Sequence, residues 1–173
     1  MRSETKQVLI IGAGGSYIYR FPLGDELFKK IRNTFPHHAK DYVEKILHSN
    51  DYKMNKIYQR AEDFSNQLKN ITGISIDKYL NLNSDYIEIG KLAIASEIIN
   101  CERYFLNPAI NKIDNDWYTY LFTKLLDGLD TVDDIINHFG ENLSIITFNY
   151  DRSLENFLFQ NLFEILKNKL NKD

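Results

Sequence analysis

Apolar positions follow two rhythms along this chain. Short, largely apolar runs, Val8-Leu9-Ile10-Ile11 near the start and Leu143-Ser144-Ile145-Ile146 far downstream, have the β-branched bias of buried strands. Almost everything else repeats at helical spacing. Pro22-Leu23-Gly24-Asp25 leads into a helix over Glu26 to Ile31, acidic residues first and lysines later, as the helix dipole favours. Pro36 predicts a loop holding His37 and His38, and Ala39 to His48 a second helix built on Tyr42, Val43, Ile46 and Leu47. Met54 to Leu68 reads as a more polar helix, and Ser75 as the N-cap of a short one through Leu80. Tyr86 to Cys101 predicts a long core helix. Trp117 to Leu129 and Val132 to His138 predict two more, the latter stopped by Gly140. The last helix carries Leu154, Phe157, Leu158, Leu162, Ile165 and Leu166 on one face.

The pattern predicts an α/β fold: a Rossmann-like parallel sheet with a large helical insertion, about 36–140, between its two visible strands. Two strands are few for such a sheet, because a lone pair is marginal and parallel sheets are covered on both faces. The chain is therefore expected to be the front part of a larger domain, incomplete at its C-terminus, and to expose an apolar sheet edge that makes it poorly soluble or a homo-oligomer. The alternative is a mainly helical protein with a vestigial sheet.

Composition narrows the function classes. At 173 residues, 43% hydrophobic and 13% aromatic, the chain can bury one substantial core, and no repeat or linker divides it, so one domain over 1–173 is the simplest count. A net charge of -3 gives no reason to expect nucleic acid or an anionic membrane as a partner. The lone Cys101 excludes an internal disulfide and a zinc ribbon. No run approaches the roughly 20 apolar residues of a membrane span, and Val8 to Ile11 is too short for a secretory core, so a cytoplasmic location is the default.

The chemistry gathers behind the two strands, where α/β sheets place their ligand groups. Gly12-Ala13-Gly14-Gly15-Ser16 meets the first and third places of a dinucleotide fingerprint, but the sixth is Tyr17, and no acidic residue ends a second strand about 20 positions on. No lysine follows Gly15, which excludes a P-loop. What remains is backbone that a phosphate can approach closely, with the Ser16 hydroxyl as a further donor. A plain tight turn explains the same residues. After the second strand, Thr147-Phe148-Asn149-Tyr150-Asp151 supplies an amide and a carboxylate; alone, these would merely end the strand and cap the helix beginning near Arg152.

Taken together, Gly12 to Ser16 with Phe21-Pro22-Leu23-Gly24, then Ser75 to Leu80, then Thr147 to Glu155 resemble the sirtuin-like NAD-binding domains of bacterial proteins over nearly the whole chain. Phe148 departs from the sirtuin Thr-Gln-Asn-x-Asp pattern, and Tyr150 stands at its variable place. The resemblance implies NAD as cofactor. Gly12, Ala13, Gly14 and Ser16 would line its pyrophosphate and adjacent ribose, Thr147 would be a further cofactor-binding residue, and Asn149 and Asp151 would sit near the nicotinamide ribose and carboxamide as catalytic groups. There an amide and a carboxylate can favour the positive charge that builds at the ribose as the nicotinamide bond breaks, or hold an attacking water.

With one cysteine the chain lacks the zinc module of sirtuin deacetylases, so no metal is expected, and the zinc-free relatives it resembles are NAD-hydrolysing effectors of antiphage defence. In that family a histidine downstream of the Asn-x-Asp motif completes the site, and none follows His138 here. The chain by itself is thus expected to bind rather than hydrolyse NAD; were it to release nicotinamide, His138 or a water held by Asp151 would become the candidate base. A non-catalytic nucleotide sensor and a helical interaction module are the competing functions. His37, His38, His48 and His138 read as surface or capping residues. Tyr17, Tyr19 and Arg20 read as packing before a nucleotide lid, and Trp117, Tyr118, Tyr120 and Phe122 as core or an interface.

Overall fold

The computed structural model describes residues 5–47, 51–105 and 116–170. In chain order these form β1 (Gln7–Ile11), α1 (Gly14–Tyr17), α2 (Gly24–Leu47), α3 (Asp51–Leu68), α4 (Ile76–Leu82), a 3-10 turn (Ser84–Tyr86), α5 (Ile87–Phe105), α6 (Trp117–Leu126), α7 (Val132–His138), β2 (Leu143–Thr147) and α8 (Ser153–Leu170). The described chain is mostly helical, with one parallel pair of strands. None of the described helices is long and apolar enough to cross a membrane. The chain divides into two compact units, Met1–Tyr19 with Pro108–Asp173, and Arg20–Asn107.

The first unit holds both strands. They pair in register from Gln7 with Leu143 to Ile11 with Thr147, so Leu9, Ile11, Ile145 and Thr147 share one face and Val8, Ile10, Ser144 and Ile146 the other. The first face packs on helices: Ile11, Ile145 and Thr147 line a cavity of about 150 Å³ with Tyr118 of α6 and Leu154 and Leu158 of α8. The opposite face is exposed among the described residues. Ile10 is 65% exposed while its neighbour Ile11 is 6% exposed, and Val8, Ile146 and Phe148 are exposed as well. The exposed apolar surface is thus a sheet face, because the helices flanking the strands in sequence cover the other side.

Chain punctuation sets the helix ends in this unit. The sequence extends the helix after Trp117 to Leu129, but α6 stops at Leu126 and Gly128 follows at φ 75°. That conformation is cheap for glycine and closes the helix early. Thr131 and Asp134 cap α7 reciprocally, side chain to backbone in both directions. On α8 the predicted stripe is buried at Leu154 and half-buried at Phe157, Leu158, Leu162 and Leu166, whereas Ile165 is exposed. Phe159 and Phe163 stack on one another on the exposed side.

The second unit is helical throughout. Leu27, Phe28, Ile31, Phe35 and Ala39 form a buried stripe along α2, facing Ala61, Phe64 and Leu68 of α3 and Ala93, Ile98 and Cys101 of α5. Phe35 and Phe64 meet edge to face with centroids 6.4 Å apart. α2 runs unbroken through Pro36, so the predicted loop holding His37 and His38 does not form. An interior proline costs about 3 kcal/mol. Burial of Phe35 and Ala39, on either side of Pro36, offsets that cost by keeping the stripe continuous. His38 accordingly is no loop residue: its Nδ1 lies 2.6 Å from Glu97 of α5, a carboxylate 2% exposed that also accepts from Thr34. His48 lies outside the described residues.

The other predicted helices form with shifted ends. The polar pattern from Met54 is part of α3, and Ser75 caps α4 by accepting the Lys78 N–H at 3.2 Å. The long core helix begins with the 3-10 turn at Ser84 and continues to Phe105. Gly90 of α5 is where α4 approaches, since a Cβ there would sit 2.4 Å from Leu80.

Candidate functional site

Parallel pairing puts the C-terminal ends of both strands side by side, so the glycine turn and the segment after β2 emerge together. The Phe148 N–H donates to the Ile11 carbonyl at 2.9 Å, extending the ladder one step beyond the strands. Gly12, Ala13 and Gly14 are exposed, and a Cβ at Gly12 or Gly14 would meet nothing within 4 Å, so both leave their backbone open to an approaching group. Gly15 differs. A Cβ there would sit 2.6 Å from Ile11 Cγ2, and its carbonyl accepts from the Trp117 indole at 2.7 Å. The turn is pinned at Gly15 and open at Gly12 and Gly14.

Ser16 is buried, 1% exposed, and faces the second segment. Its hydroxyl donates to Asp151 Oδ2 at 2.7 Å and accepts from Asn149 Nδ2 at 3.1 Å. The Ala13 carbonyl is 3.4 Å away. A hydroxyl has one proton, and the nearer, charged acceptor takes it. The expectation of Ser16 as a phosphate donor therefore meets a hydroxyl already engaged within the protein.

Asp151 is 7% exposed and its two oxygens are engaged: Oδ2 by Ser16, Oδ1 by the Ser153 N–H at 3.1 Å and by the Ser153 hydroxyl. A carboxylate so saturated has little left to hold an attacking water. Asn149 is half-buried; its N–H donates to Thr147 Oγ1 at 3.1 Å, and its Oδ1 is covered and accepts no hydrogen bond from the protein. Gly12, Ala13, Gly14, Ser16, Thr147, Asn149 and Asp151 thus lie at one end of the strand pair, and Ser16 binds both Asn149 and Asp151 directly.

Behind these groups stands a layer that sequence reasoning missed. The Tyr118 hydroxyl lies 2.6 Å from Ser153 Oγ, and the Tyr118 ring stacks on Tyr19 with centroids 3.8 Å apart. Tyr19 donates to Asp116 at 2.6 Å and accepts the Tyr118 N–H at 2.9 Å. Asp116 caps α6. Burial raises the Tyr19 hydroxyl well above the usual tyrosine range, reinforced by the Asp116 hydrogen bond; burial likewise raises Tyr118. Burial would push Asp116 up as well, but hydrogen bonds from Thr119, Tyr19 and Tyr118 outweigh it and hold the carboxyl below its ordinary value. Tyr19 is packing, while Tyr17 and Arg20 are exposed. Tyr118 and Phe122 are core, Trp117 is half-buried and Tyr120 is exposed.

His138 stands elsewhere. It pairs with Glu141 at 2.9 Å and lines a groove of about 510 Å³ with Gln7 and Leu143, the first residues of the strands. Asn149 follows the opposite ends, and five-residue strands rising roughly 3.3 Å per residue separate the two by more than about 13 Å. His138 is not placed to serve as a base for Asn149 and Asp151. Among the described residues no group of three or more His, Cys, Asp or Glu side chains could hold a metal ion. No family model, no curated protein and no solved structure matches the chain.

Proposed function

We propose that the unit containing both strands binds NAD or a closely related dinucleotide, as the Rossmann-like core of a sirtuin-like NAD glycohydrolase. One observation carries this reading: Ser16 of the glycine turn hydrogen-bonds both Asn149 and Asp151, so two motifs more than 130 positions apart form one polar cluster at the C-terminal ends of parallel strands. Open backbone at Gly12 and Gly14 supports a pyrophosphate lying across the turn. Asn149, beside it, suits the nicotinamide ribose. Bound NAD would supply a glycosidic bond whose cleavage leaves positive charge on the ribose; Asn149 would present an oriented amide to that charge.

A second reading, a nucleotide sensor that does not turn over, has one observation in its favour: His138, the histidine of this unit, lies at the far end of the strands. Calorimetric titration with NAD and with ADP-ribose, paired with an assay of nicotinamide release, tests both. Binding of NAD with release supports the hydrolase, binding without release supports the sensor, and binding of neither ligand overturns the nucleotide reading in favour of a helical interaction module.

A further inference from the structure

We propose that Asp151 is a positioning residue: through Ser16 it fixes which end of the Asn149 amide faces the ligand, and Ser153 and Tyr118 hold the carboxylate in place. The consequence for turnover rests on the NAD reading; the relay itself does not.

The proton directions are determined by the inventory of donors. Asp151 offers only acceptors, so the Ser16 and Ser153 hydroxyls both spend their single protons on it. Ser153 Oγ must then accept at its 2.6 Å contact, which makes the Tyr118 hydroxyl the donor. Ser16 Oγ must likewise accept at its 3.1 Å contact, which turns the NH2 end of Asn149 toward Ser16. Every arrow ends on the carboxylate: Tyr118 to Ser153 to Asp151 from one side, Asn149 to Ser16 to Asp151 from the other.

This ordering matters because an asparagine amide is a dipole that can face either way. With NH2 committed to Ser16, Asn149 keeps Oδ1, the negative end, unspent: in the protein that oxygen is covered and accepts no hydrogen bond, so a ligand that displaces its cover meets an acceptor. An oxygen suits a ribose hydroxyl donor and a centre gaining positive charge; the NH2 end would oppose both. Thr147 binds the Asn149 backbone rather than its side chain, so among the described residues Ser16 is what orients the amide.

The test exploits Asp151→Asn, which keeps the shape and inverts the relay. The Ser153 N–H still requires an acceptor at Oδ1, so the new NH2 must face Ser16. Ser16 then accepts from it and turns its own proton toward Asn149, 3.1 Å away, in preference to the Ala13 carbonyl at 3.4 Å, and the Asn149 amide flips to accept it. In ligand-free, 15N-labelled protein, the Asn149 side-chain pair is assigned by its loss in Asn149→Asp. The expected result is a nuclear Overhauser contact from that pair to the Ser16 methylene in the wild type, lost with a shift of both resonances in Asp151→Asn while backbone resonances elsewhere hold. An unchanged Asn149 pair in folded Asp151→Asn overturns the proposal. Should that variant not fold, the wild type decides: a nuclear Overhauser contact from the Asn149 pair to the Ser16 methylene supports the relay, and its absence overturns it. Loss of the NAD reading would leave these resonances as they are, and loss of the relay would leave wild-type NAD binding as it is, so the two failures are distinguishable.

Discussion

Ser16 and Asp151 are 135 positions apart and joined by a 2.7 Å hydrogen bond between side chains that are each almost wholly buried. The bond ties the turn after β1 to the turn after β2, and its removal strands two partners at once. Ser16→Ala leaves the Asp151 carboxylate short of a donor and the Asn149 NH2 without an acceptor. Leaving a buried polar group unpaired costs about 1–3 kcal/mol. Urea unfolding should show a loss of that size with unchanged m; a loss below about 0.5 kcal/mol would mean the bond contributes little to the fold.

The glycine turn should respond asymmetrically. Gly15→Ala places a methyl 2.6 Å from Ile11 Cγ2 in a packed region, and overpacking of this kind costs about 1–3 kcal/mol. Gly14→Ala meets no neighbour and should leave stability within about 0.5 kcal/mol. Equal melting temperatures for the two variants would contradict the open and pinned division of the turn.

Adjacent strand residues offer a second contrast. Ile11→Ala should cost about 2–5 kcal/mol, while Ile10→Ala, on the exposed face, should change stability by no more than about 0.5 kcal/mol. A large loss at Ile10 would show that something covers that face in solution.

Much of this architecture was legible in the sequence, and its limits have physical causes. Both strands, the Ser75 cap and most helices follow from local periodicity and capping chemistry, which act over a few residues. Pro36 misled because burial of Phe35 and Ala39 is a tertiary effect that outweighs a local breaker. The convergence of Gly12 to Ser16 with Asn149 and Asp151 was legible from two strand ends and a motif pair. Tyr118 and Ser153 were not recognised as part of the site, because nothing in a helical Trp-Tyr-Thr-Tyr run marks one tyrosine as the hydroxyl that reaches Ser153. Nor does sequence indicate that Ser16 spends its proton inside the protein.

The stacked tyrosines predict a pH response. A raised tyrosine favours the folded state below its ordinary value of 10.0, and that contribution is lost as pH rises through the higher folded value. Tyr19 and Tyr118 should therefore stay protonated in alkali until the protein unfolds, so that folded Tyr19→Phe and wild type show equal tyrosinate absorbance just above pH 10. Asp116 works at the other end: its lowered value stabilises the fold above the ordinary 3.8 and loses that contribution as pH falls below it. Asp116→Asn should thus be less stable than wild type at neutral pH, with the gap closing in acid. A gap that widens on acidification would contradict the sign of the Asp116 shift.

The most direct measurement is calorimetric titration of NAD into wild type and Gly14→Val, with folding of both checked by circular dichroism. A Cβ at Gly14 meets nothing within 4 Å, and a valine built on it stands where a pyrophosphate would approach the backbone. The expected result is saturable binding of NAD to the wild type and at least a tenfold weaker dissociation constant in the variant, about 1.4 kcal/mol, with both folded. Equal affinity for the two proteins, or no heat of binding from the wild type, would contradict the placement of a dinucleotide on this turn.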